Sequence, residues 1–145
     1  MADLSQHQLL LLKALHGDQR LFDGKNVLLV DDDMRNVFAM TSVLERYGMN
    51  VIPAESGPEA LEKLGAHPET DIVLMDIMLP EMDGYKVAQT IRKQEQFKSL
   101  PILALTAKAM KGDREKCLEA GCSDYLSKPV DIQQLLSVLG LWLHR

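Results

Sequence analysis

Ile72-Val73-Leu74-Met75-Asp76 is a short apolar run that ends on a single carboxylate. Ile77-Met78-Leu79-Pro80-Glu81-Met82-Asp83-Gly84 then breaks it at a proline and a glycine. An apolar run of roughly four to eight residues bounded by breakers suits a strand buried on both faces, as in a parallel sheet. Asp76 then stands at the carboxyl end of a central strand, the edge at which open α/β sheets place their ligands. A charge cannot be kept in a core without partners, because burying it unpaired is strongly unfavourable. Asp76 therefore lies at the mouth of a site or is matched by cations.

The chain around this run alternates regularly from Lys25 onward. Val27 to Val30 reads as a first buried strand ending in Asp31-Asp32-Asp33. A helix follows near 35–47, with Val37, Met40, Val43 and Leu44 at three- and four-residue spacing and Gly48 as its stop. Val51-Ile52 is a second strand closed by Pro53. Ser56 or Gly57 starts a helix with Pro58 and Glu59 in its first turn and Ala60, Leu61 and Leu64 inward. After the strand ending at Asp76, a helix is predicted from about 83 to 95, and Pro101 to Leu105 is a fourth strand ending at Thr106. A helix near 112–120 stops at Gly121, Tyr125-Leu126 lies in a fifth strand, and a last helix covers about 131–143. Strands alternating with helices in this way indicate a doubly wound parallel sheet with right-handed crossovers. At 145 residues the chain has room for one such domain. Residues 1–24 read differently. Leu4, Leu9, Leu11, Leu12 and Leu15 form a rough helical stripe, which is expected to be an N-terminal helical extension or a linker, with residues 25–145 as the main domain.

The polar residues fall at one end of the strands. Strand one ends on Asp31 and Asp32, strand three on Asp76, strand four on Thr106, and strand five leads into Lys128. All carboxyl ends of a parallel sheet face the same way, so these groups converge. Three carboxylates brought together repel, each pair by about 4 kcal/mol at 4 Å and an effective dielectric near 20. Either one of them holds a proton or a cation fills the gap. Oxygen-only ligands favour a hard ion such as Mg²⁺, and Lys128 adds a fixed positive charge. A carboxylate beside Mg²⁺, a lysine and the Thr106 hydroxyl can stabilise transferring phosphoryl oxygens. No Ser-His pair or Gly-rich phosphate loop accompanies the set, so the nucleophile is a carboxylate oxygen, which can form an aspartyl phosphate.

Val30-Asp31-Asp32, Met75-Asp76 with Pro80 and Met82-Asp83-Gly84, Leu105-Thr106-Ala107, and Tyr125 with Lys128-Pro129 resemble the response-regulator receiver domain of two-component systems. The likeness covers about residues 25–143. Asp33-Met34-Arg35-Asn36 and the stretch from Met110 to Cys117 are similar to receivers at the C-terminus of hybrid sensor histidine kinases. The resemblance implies a flavodoxin-like sheet of order 2-1-3-4-5 with five helices, an architecture exemplified by the chemotaxis receiver. It implies that Asp76 is the phosphoacceptor, taking phosphate from a histidine kinase or a histidine phosphotransfer domain. Asp31, Asp32, Asp76 and the backbone carbonyl of Met78 would hold Mg²⁺, with Mn²⁺ as a substitute. Thr106 and Lys128 would bind the phosphoryl oxygens, small Ala107 would leave them room, and Tyr125 would move inward as Thr106 closes. Met78 and Lys108 occupy positions that tune phosphate loss in the family, and a cis Lys128-Pro129 peptide is expected. The implied activity is catalysis of the domain's own phosphorylation and dephosphorylation, without a separate substrate. Self-association or a downstream protein would use the fourth and fifth helices. Nothing follows the last helix in this sequence, so a stand-alone or excised receiver without an output domain is expected.

A second class carries the same first motif. Haloacid-dehalogenase-type phosphatases use the first Asp of an Asp-x-Asp after strand one, which would make Asp31 the nucleophile. They need further acids after the lysine, and only Asp131 follows Lys128. Other classes are disfavoured by composition. A net charge of −5 without a Lys/Arg cluster argues against nucleic acid. The apolar stretch Leu9 to Leu12 is too short to span a bilayer and lacks signal-peptide flanks, so a cytoplasmic location is expected. Cys117 and Cys122 match no zinc spacing and read as reduced, semi-buried thiols. His7, His16, His67 and His144 read as surface or linker residues, Met78, Met82 and Met110 as packing residues, and Asp33 as a solvated residue near a helix start. The last helix carries more apolar residues than one stripe needs, so it meets a partner or the N-terminal segment.

Overall fold

The computed structural model describes residues 22–79, 82–107 and 111–144. The leucine-rich stretch up to Leu21, Pro80 and Glu81, Lys108 and Met110 lie outside the described residues. The elements are β1 (Asn26–Val30), α1 (Met34–Arg46), β2 (Asn50–Ala54), α2 (Gly57–Ala66), β3 (Ile72–Asp76), α3 (Gly84–Arg92), β4 (Ile102–Thr106), α4 (Lys111–Ala120), β5 (Asp124–Ser127) and α5 (Ile132–Leu143). The strands form one parallel sheet in the order β2-β1-β3-β4-β5, as the sequence leads one to expect. Both central strands, β3 and β4, are buried at every position. Alternate side chains feed two cores. Leu28, Val30, Val73, Met75, Ile102 and Ala104 pack with α2, α3 and α4. Val27, Leu29, Ile72, Leu74, Leu103 and Leu105 pack with α1, α5 and Phe22.

Helix starts follow capping chemistry. The carboxylates of Asp33, Asp83 and Asp131 and the Ser56 hydroxyl accept from backbone N–H groups two or three residues on, which satisfies donors that the first turn leaves free. Asp33 is thus a capping residue, consistent with a half-exposed acid at a helix start. Gly48 and Gly121 take positive φ at the ends of α1 and α4, as the stops require.

Three readings are corrected. Pro53 does not close β2 but lies inside it, opposite Leu29. β2 is the sheet edge, where a residue without an N–H loses no ladder bond. Second, α3 ends at Arg92 rather than near 95. The Arg92 side chain turns back, with Nε donating to the Gly121 carbonyl and Nη1 to the Phe97 carbonyl, both at 2.8 Å, and a 3₁₀ turn takes over at Glu95–Phe97. Third, Met78 does not pack. Its side chain is 73% exposed, because it sits in the loop beyond the strand end.

Arg92 ties the end of α3 to the α4–β5 connection, and its Nη2 also donates to Ser123 Oγ at 3.3 Å. Arg92→Ala is expected to cost about 2 kcal/mol, the range for hydrogen bonds to a charged group, read as a lower urea midpoint at unchanged slope. Phosphorylation should be unaffected, since the anchor lies away from the strand tips.

Candidate functional site

β1 and β3 are neighbours, with Val30 opposite Met75, so the residues following them, Asp31 and Asp76, emerge side by side. β4 is next, with Leu105 opposite Asp76 and Thr106 one residue further. Each carboxylate is fixed in the same way. The N–H of Asp33 donates to Asp31 Oδ1, and the N–H of Met78 donates to Asp76 Oδ1, both at 2.9 Å. These turns leave Oδ2 of each acid to one cation. Lys128 Nζ lies 2.9 Å from Asp76 Oδ2 and 3.3 Å from Asp31 Oδ2.

Asp31 and Asp76 are buried, while Asp32 is exposed at the rim. Carboxylate oxygens of Asp31, Asp32 and Asp76 all lie within 4.8 Å of one another. Such a donor set, all oxygen and strongly negative, fits a hard divalent cation that keeps part of its water shell. Burial alone would depress the Lys128 pKa. The hydrogen bond and charge of Asp76, with those of Asp31, outweigh it and hold the ammonium above its ordinary value.

The remaining sequence-selected residues sit around this triad. Thr106 is buried, and its carbonyl accepts from the Lys128 N–H at 2.8 Å, so the residue at the end of β4 also orients the lysine's backbone. Lys128-Pro129 is cis, as expected. Tyr125 lies opposite Ala104, two positions back from Thr106, and is half-buried against the core shared with α3 and α4. Asp33 is not among the clustered acids; it caps α1 and pairs with Arg35. This removes the second acid that a phosphatase built on Asp31 would need.

Two features were missed in the sequence. A groove of about 500 Å³ runs from Asp31 and Lys128 between α1 and the start of α5, past Met40, Val43, Val130 and Ile132. Also on α1, Met34 and Phe38, one turn apart, are 53% and 77% exposed. The signal was present as apolar residues outside the Val37–Met40–Leu44 stripe.

Elsewhere, neither Cys117 nor Cys122 is in a disulfide, and both are buried, more so than the semi-buried thiols expected. Burial and the neighbouring Cys117 push the Cys122 thiol up to about 12, so Cys122 is no nucleophile at neutral pH. Among the described residues no helix is long and apolar enough to cross a membrane.

Residues 27–140 match the family model for the response regulator receiver domain. The polar-differentiation response regulator DivK of Brucella ovis is 35% identical over 119 residues, covering 82% of this chain and 96% of its own. The receiver domain of a sensor histidine kinase from Pseudomonas aeruginosa, solved with a magnesium ion coordinated in its active site cleft, is 37% identical. It has a TM-score of 0.74 and covers 84% of this chain and 99% of that one. The receiver domain of a Saccharomyces cerevisiae response regulator, co-crystallised with a histidine phosphotransfer protein, is 30% identical with a TM-score of 0.77, over 83% of this chain and 90% of that one.

Proposed function

We infer the chemistry from one premise: this chain belongs to the response regulator receiver domain family, and is a receiver of two-component or phosphorelay signalling. The phosphoacceptor is Asp76. What carries the assignment is the single ammonium of Lys128 held between Asp31 and Asp76 at the tip of the central strand. The donor is a phosphohistidine on a histidine kinase or histidine phosphotransfer domain, by analogy with the yeast complex. An Asp76 oxygen attacks phosphorus, the P–N bond breaks, and its electron pair returns to the imidazole, which takes up a proton. Lys128 moves with the charge, from carboxylate to phosphoryl oxygen, and the Thr106 hydroxyl donates to a second oxygen.

Asp31, Asp32, Asp76 and the Met78 carbonyl would hold Mg²⁺, the ion that the Pseudomonas relative coordinates in its active site cleft. Mn²⁺ suits the same donors. The bound ion would neutralise the phosphoryl oxygens. The exposed Met34, Phe38 and Met78 supply apolar contact for the donor protein. Phosphorylation adds about −1.5 to −2 charge; Thr106 and Tyr125 then shift and alter the face around α4 and α5. A cytoplasmic setting and a hybrid-kinase parent remain part of this reading.

Incubation with acetyl phosphate or beryllofluoride and Mg²⁺ tests it. An adduct on Asp76, lost in Asp76→Asn, is expected. An adduct on Asp31 instead would return the chain to the phosphatase class.

A further inference from the structure

Asp124 joins two elements that the sheet itself keeps apart. It lies on β5, an edge of the sheet, opposite Leu103, while Tyr125 lies opposite Ala104. Successive strand residues point to opposite faces, and the packing agrees. Ala104 and Tyr125 belong to the core shared with α3 and α4, whereas Leu103 belongs to the core shared with α1 and α5. Trp142, in the last turn of α5, packs against that second core.

Both oxygens of the Asp124 carboxylate are engaged. Oδ1 accepts from the Tyr125 backbone N–H at 2.8 Å, and Oδ2 accepts from the Trp142 indole Nε1–H at 3.2 Å. Hydrogen bonds to a carboxylate are of the stronger kind, and two on one planar group fix each donor relative to the other. The Tyr125 main chain is therefore tied to the end of α5 through a single side chain. A phenylalanine or leucine at 142 would seat α5 on the apolar core as well, but only an indole adds the N–H that reaches Asp124. The tie also acts close to the chemistry. Tyr125 stands three residues before Lys128, whose backbone N–H donates to the Thr106 carbonyl and whose ammonium holds Asp76.

We propose that Asp124 and Trp142 are positioning residues, which hold the Tyr125 main chain in the setting that accompanies the Asp76–Lys128 ion pair. The C-terminal end of α5 is thereby a second place from which phosphorylation of Asp76 is controlled. When Tyr125 shifts with Thr106, the tie is lost and the end of α5 moves. Such coupling is reciprocal, so any change that takes the indole from Asp124 favours the phosphorylated state. This role rests on the reading of Asp76 as phosphoacceptor and Tyr125 as the residue that moves.

Nuclear magnetic resonance on the full chain tests it, since Trp142 is the one tryptophan and gives a single indole N–H resonance. With Mg²⁺, beryllofluoride should shift both the Tyr125 amide and the Trp142 indole resonances. Asp124→Asn keeps the shape of the side chain but offers one acceptor oxygen in place of two, and in it the indole should no longer respond. Trp142→Phe keeps an aromatic ring on the core, and in it beryllofluoride should bind about fivefold more tightly. The Tyr125 amide of that variant should exchange roughly tenfold faster, while those of Leu103 and Leu126 keep parental exchange. A merely structural role would speed exchange across β5 alike and leave beryllofluoride binding unimproved, and that result overturns the proposal. So does an indole that stays still while the Tyr125 amide moves, or one that still responds in Asp124→Asn. If Trp142→Phe does not fold, the indole response of Asp124→Asn decides alone. Failure of the underlying reading looks different: beryllofluoride then forms no adduct on Asp76, or forms one without moving Tyr125, and the proposal falls with it.

Discussion

Lys128→Ala is expected to slow phosphorylation by acetyl phosphate on the order of 10²–10³-fold, the usual cost of removing one donor from a developing oxyanion. It should also lower stability by about 3 kcal/mol. The second effect follows from burial. Asp31 and Asp76 are nearly inaccessible, their Oδ1 atoms are held by backbone N–H groups, and their Oδ2 atoms share one ammonium. Without it two carboxylates face each other uncompensated. Mg²⁺ should then stabilise the variant more than the parent, because in the variant the ion is the remaining counter-charge. Lys128→Arg should recover more stability than rate, since a planar fork restores charge but not a point donor of the same reach. Urea unfolding with and without Mg²⁺, beside acetyl phosphate kinetics, separates the effects. Equal Mg²⁺ stabilisation of parent and Lys128→Ala would show that the lysine and the ion do not share a site.

The same geometry sets an alkaline limit. The folded pKa of Lys128 is raised by Asp76 and Asp31, so the protonated lysine favours the folded state. That contribution is complete below the unfolded lysine value of about 10.4 and is lost as pH rises through the higher folded value. Unfolding midpoints followed into this alkaline range should fall less steeply in Lys128→Ala.

The strand tips were legible because each core strand is apolar until its last residue. A parallel sheet turns that into convergence of Asp31, Asp32, Asp76, Thr106 and Lys128 without further information. What was not legible depends on tertiary neighbours. Pro53 reads as a breaker unless β2 is known to be an edge. Arg92 reads as a surface cation until the Gly121 and Phe97 carbonyls are placed beside it. Met78 is apolar by type, but its position two residues past a strand end puts it in water. Ser137 reads as the polar side of an amphipathic helix, and only its burial says otherwise. Gly84 is the sharpest case, because the sequence presents it simply as a breaker.

Gly84→Ala is expected to destabilise the domain by about 1–3 kcal/mol and to slow phosphorylation of Asp76. The glycine is required for space. A Cβ there would lie 2.8 Å from Ile77 Cα and 2.9 Å from the Asp76 carbonyl oxygen, both backbone atoms that no rotamer change can move aside. The Gly84 N–H also donates to the Ile77 carbonyl at 2.9 Å, so the start of α3 is bonded to the segment it would push. The methyl group must displace either α3 or the peptide that carries Asp76. An error of about 1 Å at a reacting group can cost roughly 10²-fold in rate, so activity should fall further than stability alone accounts for. Gly65→Ala is the matched control. It lies in α2, where a Cβ would meet no atom within 4 Å, and alanine should stabilise the helix by roughly 0.5–1 kcal/mol. The same methyl group thus acts with opposite sign at two helix glycines. Denaturant midpoints and acetyl phosphate rates measured under folded conditions provide the check. A Gly84→Ala variant with parental stability and rate would mean that α3 does not hold the strand that carries Asp76 in place.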